Sequence, residues 1–74
     1  MYTATAIFKD LLGRHSEIGF GEGEGDAYAV EECIESISQI YKDCASKDDI
    51  QIIVRNDSDV VYATTWLDYE VATN

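Results

Sequence analysis

The arrangement of the chain depends on one stretch of sequence, DAYAVEECIESISQIYKDCAS, at residues 26–46. Apolar residues recur there at spacings of three and four, which predicts one amphipathic helix that runs from an N-cap at Asp26 to about Ser46. The buried stripe of this helix is predicted to contain Val30, Cys33, Ile34, Ile37, Ile40, Tyr41 and Cys44. Acidic and polar residues fill the opposite arc.

Residues before and after this helix alternate in polarity or are β-branched, which predicts four strands. The strands fall at 2–10, 15–21, 50–55 and 60–71, the last of them long. Glycines at positions 19, 21, 23 and 25 predict a flexible connection into the helix. The order ββαββ over residues 1–74 predicts a single small α+β domain, in which one helix packs on one face of an antiparallel sheet.

A single helix covers only one face of such a sheet, so the alternation along each strand sorts the residues into a covered and an open face. The residues predicted to face the helix are Ala4, Ala6, Phe8, Ile18, Phe20, Ile50, Ile52, Val54, Val61, Ala63, Leu67 and Tyr69. The open face is predicted to carry Ile7, Ile53, Tyr62 and Trp66. Exposed apolar and aromatic residues favour an interface there. The alternative is that the faces are assigned one residue out of phase, or that the C-terminal tail folds over the sheet.

The chain carries a net charge of −10 on 74 residues, although 46% of its residues are hydrophobic. Such a chain has enough apolar residues to fold, and its surface is strongly anionic. That surface favours basic protein partners and disfavours direct contact with nucleic acid or anionic membranes. The sequence shows neither a signal peptide nor a long apolar run, which predicts a cytoplasmic protein.

The sequence contains no pattern that indicates catalysis or a bound cofactor. The glycine-rich segment fails the dinucleotide fingerprint, which needs glycine where Glu24 or Asp26 stands, and it also fails the EF-hand spacing. Cys33 and Cys44 lie about 16 Å apart along the predicted helix, so they are expected to be buried thiols and not a disulfide. His15 has no second base or oxyanion group nearby in sequence. We therefore expect no enzymatic activity, no cofactor and no metal site.

Carboxylates concentrate around the start of the predicted helix and indicate a partner-binding surface. Its predicted members are Glu22, Glu24, Asp26, Tyr28, Glu31, Glu32 and Glu35. Tyr28 projects onto the polar arc, where it is either an exposed anchor for a partner or packed on the glycine-rich segment.

The first functional hypothesis is a non-enzymatic inhibitor that occupies a basic, nucleic-acid-binding site on a partner protein. Carboxylates on a rigid scaffold can stand in for phosphates and steer association with a positive groove. In size and charge the chain is similar to phage-encoded anti-CRISPR and anti-restriction proteins, some of which act as DNA mimics, although no motif carries this resemblance. The alternative hypothesis is a small structural or adaptor module that forms a homodimer through the open sheet face.

Overall fold

The structure, a computed structural model, describes residues 1–73 of the chain. Its elements, in chain order, are β1 (Tyr2–Lys9), β2 (His15–Gly23), α1 (Asp26–Ser36), α2 (Gln39–Cys44), a 3₁₀ turn (Lys47–Asp49), β3 (Ile50–Asn56), β4 (Asp59–Thr65) and α3 (Trp66–Thr73). The four strands form one antiparallel sheet in the order β2-β1-β3-β4. The predicted α+β class and antiparallel sheet are confirmed, whereas the single helix is replaced by three.

The glycine-rich segment is part of a strand, so the prediction of a flexible connection is wrong. β2 continues to Gly23, and its glycines at 19, 21 and 23 face α1. At Gly21 even a single added carbon would collide with the α1 backbone, because it would lie 2.8 Å from the carbonyl carbon of Glu32. The glycines are therefore needed for the close approach of helix and strand. Gly25, not Asp26, is the N-cap residue of α1.

The predicted long helix is interrupted at Ile37 and Ser38, which both have extended backbone conformations. The side chain of Ser36 bonds locally, since its Oγ donates to the carbonyl oxygen of Cys33 at 2.7 Å. The same Oγ accepts a hydrogen bond from the backbone N–H of Phe20 at 2.9 Å, which ties the end of α1 to the edge strand. Tyr41 of α2 still packs on Phe8 of β1, with the ring centres 5.5 Å apart, but the break leaves Ile40 and Cys44 exposed, contrary to the prediction that they are buried.

The predicted strand at 60–71 ends at Thr65, where α3 begins. The Thr65 hydroxyl accepts a hydrogen bond from the backbone N–H of Asp68 at 3.1 Å, as an N-cap residue does. Trp66 then turns into the core and is only 5% exposed. Lys47 fixes α3 from the outside, since its Nζ lies 4.9 Å from the centre of the Trp66 ring and 2.8 Å from a Glu70 carboxylate oxygen.

The core lies between the sheet on one side and α1 and α3 on the other. Its buried residues are Ala4, Ala6, Ala29, Val30, Cys33, Ile37, Ile50, Ile52, Val54 and Trp66. The covered face is therefore confirmed for Ala4 and Ala6 of β1 and for Ile50, Ile52 and Val54 of β3.

Two β-bulges make the predicted faces of Phe20, Val61 and Ala63 wrong, whereas Ile18 packs against the core as predicted. Ile18 is the extra residue opposite β1, so that Phe20 points to the open face and the glycines point to α1. Val61 is the extra residue opposite β3, so that Tyr62 pairs with Val54 on the covered side and Ala63 lies on the open side. Val61 itself and Leu67, on α3, are exposed.

Candidate partner-binding surface

The exposed side of α1 carries a cluster of carboxylates, because the helix uses its other side for the core. Ala29, Val30 and Cys33 are its buried residues. The exposed residues that form the acidic surface are Asp26, Tyr28, Glu31, Glu32 and Glu35. Glu31 and Glu32 follow Tyr28 by three and four residues, and Glu35 follows them by four and three, which places these four side chains side by side.

Four of the predicted site residues line one shallow depression of about 100 Å³. They are Tyr28, Glu31, Glu32 and Glu35. The structure thus brings together one aromatic ring and three carboxylates, as the helical spacing predicts. A depression of this size suits a single basic side chain of a partner better than it suits a small-molecule substrate.

The carboxylates of the acidic surface have no basic partner within the described residues. The ion pairs in residues 1–73 join Asp57 to the N-terminus, Asp10 to Arg14 and Glu70 to Lys47. None of these pairs involves α1, and the last turn of α1 contains no basic residue. Glu31 and Glu35 are like charges one turn apart, an arrangement that destabilises a helix unless something else neutralises it.

Tyr28 is both exposed to solvent and packed on the glycine-rich segment, the two alternatives that the sequence leaves open. Its side chain is 60% exposed. The edge of its ring nevertheless lies over Gly23, since a Cβ added there would lie 2.5 Å from Cδ1 of Tyr28. Because Gly23 has no side chain, the ring of Tyr28 can pack against the strand there while its other side faces solvent.

Glu22 and Glu24 do not belong to the acidic surface. Glu22 is paired with Thr3 on the open face of the sheet, because its neighbours Gly21 and Gly23 face α1. Glu24 is exposed in the connection between β2 and α1. The predicted set of seven residues is thus divided between two sides of the molecule.

Two tyrosines beside the acidic surface are absent from the predicted site. Burial raises the pKa of Tyr62, and the negative charge of Asp26 raises it further. The pKa of Tyr69 is also raised, first by burial and then by the charges of Glu31 and Asp26. Both hydroxyl groups therefore stay protonated near neutral pH and lie within the field of the α1 carboxylates. The Thr65-to-Asp68 capping pattern was the sequence signal that could have placed Tyr69 on a helix.

The open sheet face is a second candidate surface, and it differs in composition from the acidic surface. Its strand residues form three rows across β2, β1, β3 and β4: Glu22, Thr3, Arg55 and Val60; Phe20, Thr5, Ile53 and Ala63; Glu17, Ile7, Gln51 and Thr65. The predicted members Ile7 and Ile53 lie here. Tyr62 and Trp66 do not, because a bulge turns the first away and the second lies in α3.

The remaining groups that the sequence offered for catalysis or metal binding are His15 and the two cysteines. His15 is exposed in the β1–β2 hairpin and makes no side-chain hydrogen bond within the described residues. Within residues 1–73 no three His, Cys, Asp or Glu side chains are grouped so that they could hold a metal ion. Burial raises the pKa of the Cys33 thiol to about 11, which makes it a poor nucleophile. Cys44 is free and exposed.

The β1–β2 hairpin is fixed by Asp10. Its Oδ1 accepts hydrogen bonds from the backbone N–H groups of Arg14 and Leu12, both at 2.9 Å. The bond from the Arg14 backbone is the largest cause of the lowered pKa of Asp10. Shallow grooves of about 310 and 270 Å³ flank Phe8 next to this hairpin, and their linings are mainly apolar.

Comparison with known proteins identifies no relative. No protein-family model matches the chain, no curated protein matches it, and no solved structure is significantly similar to it. Among the described residues no helix is long and apolar enough to cross a membrane.

Proposed function

We propose that this chain is a non-enzymatic binding protein whose acidic surface occupies a basic site on a partner protein, where that partner otherwise binds nucleic acid. The observation that carries the proposal is the group of unpaired carboxylates around the fixed, exposed ring of Tyr28. Repulsion among these groups costs stability in a small domain, and a basic partner would relieve it.

The spacing of charge along α1 supports a site that normally takes nucleic acid. Asp26, Glu31, Glu32 and Glu35 are distributed over nine residue steps. At 1.5 Å per residue this is about one charge per 3–5 Å, against roughly 3.4 Å per phosphate along one strand of DNA. The helix therefore presents a charge density comparable with that of a single nucleic-acid strand.

The close packing of α1 on β2 holds the carboxylates of the helix in fixed positions. The helix lies directly on the glycines of β2, and Ser36 ties its last turn to the backbone of Phe20. Carboxylates on such a helix lose little conformational freedom of the backbone when they bind, which favours affinity. Inhibition of a phage-defence enzyme, such as a CRISPR or restriction complex, is the particular activity that this kind of surface would serve.

The test begins with capture of the partner from host or phage-infected cells with the tagged chain. Binding of the purified partner is then measured by calorimetry for the wild-type chain and for the triple variant E31Q/E32Q/E35Q. We expect the triple variant to bind about tenfold more weakly or worse, since close charge pairs across interfaces contribute at least about 1.5 kcal/mol. We also expect the wild-type affinity to fall as salt rises.

The matched control is D48N/D49N/D57N, which removes the same number of negative charges from loops away from α1. It should retain most of the affinity. If both triple variants lose affinity equally, binding depends only on net charge, and the proposal that the acidic surface on α1 is the contact site is wrong. If the partner binds together with its nucleic acid and not in competition with it, the proposed mode of inhibition is wrong.

A further inference from the structure

We infer that the open sheet face is the contact surface for a second copy of this chain, in a two-fold dimer with its axis parallel to the strands. This inference is independent of the proposed function, because the open face lies on the opposite side of the sheet from α1. The dimer would carry two acidic surfaces on its two outer sides.

The first support is that the rows of the open face complement themselves in size. A two-fold axis along the strands places β2 of one copy over β4 of the other, and β1 over β3, with each row facing itself. Phe20 then lies over Ala63 of the second copy, and Ile53 lies over Thr5 of the second copy. Large side chains meet small ones at both positions, as interdigitating sheets require.

The second support is that the charges of this face also complement themselves. In the row of Glu22, Thr3, Arg55 and Val60, the same axis places Arg55 over Thr3 of the second copy, one strand from Glu22 of the second copy. Sheets pack about 10 Å apart and neighbouring strands about 4.8 Å, so the two long side chains can reach each other. The symmetry makes this pair occur twice.

The third support is the balance of charge among the strand residues of this face. The strand residues that point to it include two acids, Glu17 and Glu22, and two bases, Lys9 and Arg55. The net charge of −10 thus resides on the rest of the chain. At the β4 edge Asp68 of α3 lines a shallow depression with Gln51, Ala63 and Thr65, so the open face brings one uncompensated carboxylate per copy to the contact, against four on α1.

The area of the face sets the expected strength of the dimer. Four strands at about 4.8 Å and a length of five to seven residues at about 3.4 Å give a face of roughly 330–460 Å² on each copy, or roughly 650–900 Å² for both copies. This lies just below the roughly 1,000 Å² of a specific interface, so we expect a weak dimer with a dissociation constant in the micromolar range or above. Phe20 and Val60, which are exposed and point to the open face, supply apolar area to it.

The test is sedimentation velocity of the purified chain from below to well above the micromolar range. The wild-type chain should double in mass with concentration. R55E and E22R should each weaken the dimer about tenfold, because each removes both symmetric pairs and places like charges together. The double variant E22R/R55E should restore the dimer, because it exchanges the charges within every pair. A different partner protein on this face would give no such rescue.

An apolar variant and its control complete the test. F20S should abolish the dimer, whereas L12S, at an exposed hairpin residue off the sheet face, should leave it unchanged. The inference is overturned if the wild-type chain stays monomeric, or if the dimer survives both F20S and R55E. It is also overturned if E22R/R55E does not sediment as a dimer. The two proposals fail separately, because R55E should weaken the dimer and leave the acidic surface unchanged, whereas E31Q/E32Q/E35Q should weaken partner binding and leave the dimer unchanged.

Discussion

Replacement of Gly21 by alanine tests the close contact between α1 and β2 directly. The added methyl carbon would overlap the carbonyl oxygen of Ala29 and the backbone nitrogen of Cys33, and it would lie 2.8 Å from the carbonyl carbon of Glu32. All three atoms belong to the helix backbone, so no side-chain rotation can make room. The helix itself has to move away from the strand.

The expected cost follows from the size of that movement. Ordinary contact begins at 3.4 Å, and a displacement on the order of 1 Å forfeits a quarter to a half of the contact energy of the atoms involved. Ala29, Val30, Cys33 and Ile37 all depend on this contact. If their burial contributes about 6 kcal/mol together, the variant loses about 1.5–3 kcal/mol of its free energy of unfolding. A domain of this size has about 5 kcal/mol in total.

The other glycines provide a graded control, because each replacement changes the unfolded chain in the same way. An added carbon at Gly19 meets Cγ1 of Ile37 at 2.8 Å, and one at Gly23 meets only the exposed ring of Tyr28. Gly25 has open space around it and a negative φ of −122°. We expect the loss to fall in the order Gly21, Gly19, Gly23, and to be no more than about 1 kcal/mol at Gly25, where it reflects the N-cap preference.

Urea denaturation followed by circular dichroism measures these differences, with the m-value as a check that the denatured state is unchanged. The reasoning is refuted if Gly21→Ala and Gly25→Ala have the same stability.

Four further predictions concern other elements. Trp66→Ala should lower the free energy of unfolding by about 3–5 kcal/mol, measured by thermal unfolding, because the ring fills the core. Trp66→Phe should lower it only slightly, because the buried Nε1 makes no hydrogen bond within the described residues. A thiol reagent at pH 8 should label one cysteine, Cys44, in the folded chain and both after unfolding; prompt labelling of Cys33 would contradict its burial. Because the pKa of Cys33 is raised from 9.0 to about 11, the thiol stabilises the fold fully below pH 9 and loses this contribution as pH rises to about 11. The loss is about 3 kcal/mol, and Cys33→Ala should lack this part of the alkaline destabilisation. Thr65→Val should lower the free energy of unfolding by about 1 kcal/mol, because α3 loses its N-cap hydrogen bond. An unchanged melting temperature would show that Thr65 does not stabilise α3.

The local pattern of the sequence was sufficient for the parts of the fold that depend on local periodicity. The α+β class, β1, β3 and the grouping of Tyr28 with Glu31, Glu32 and Glu35 follow from spacings of two or of three and four. The cap formed by Thr65 and Asp68 is also a local signal, and it predicts α3 when it is given more weight than the β-branched residues before it.

Other features depend on contacts between distant parts of the chain. Alternating glycines from 19 to 25 look like a loop until α1 is placed on them, and only then is their lack of a side chain explained. The bulges at Ile18 and Val61 shift the phase of β2 and β4 by one residue, which period-two reasoning cannot detect. The break after Ser36 leaves the helical spacing of Ile40 and Tyr41 intact, so the periodicity gives no sign of it.

The most direct test of the acidic surface is an NMR titration of the isotope-labelled chain with the captured partner. We expect the backbone amide signals of Tyr28, Glu31, Glu32 and Glu35 to shift or broaden on binding. Signals from the hairpin at Leu11 to Arg14 should stay unchanged. Perturbation centred on that hairpin or its grooves, with α1 unaffected, would contradict the account.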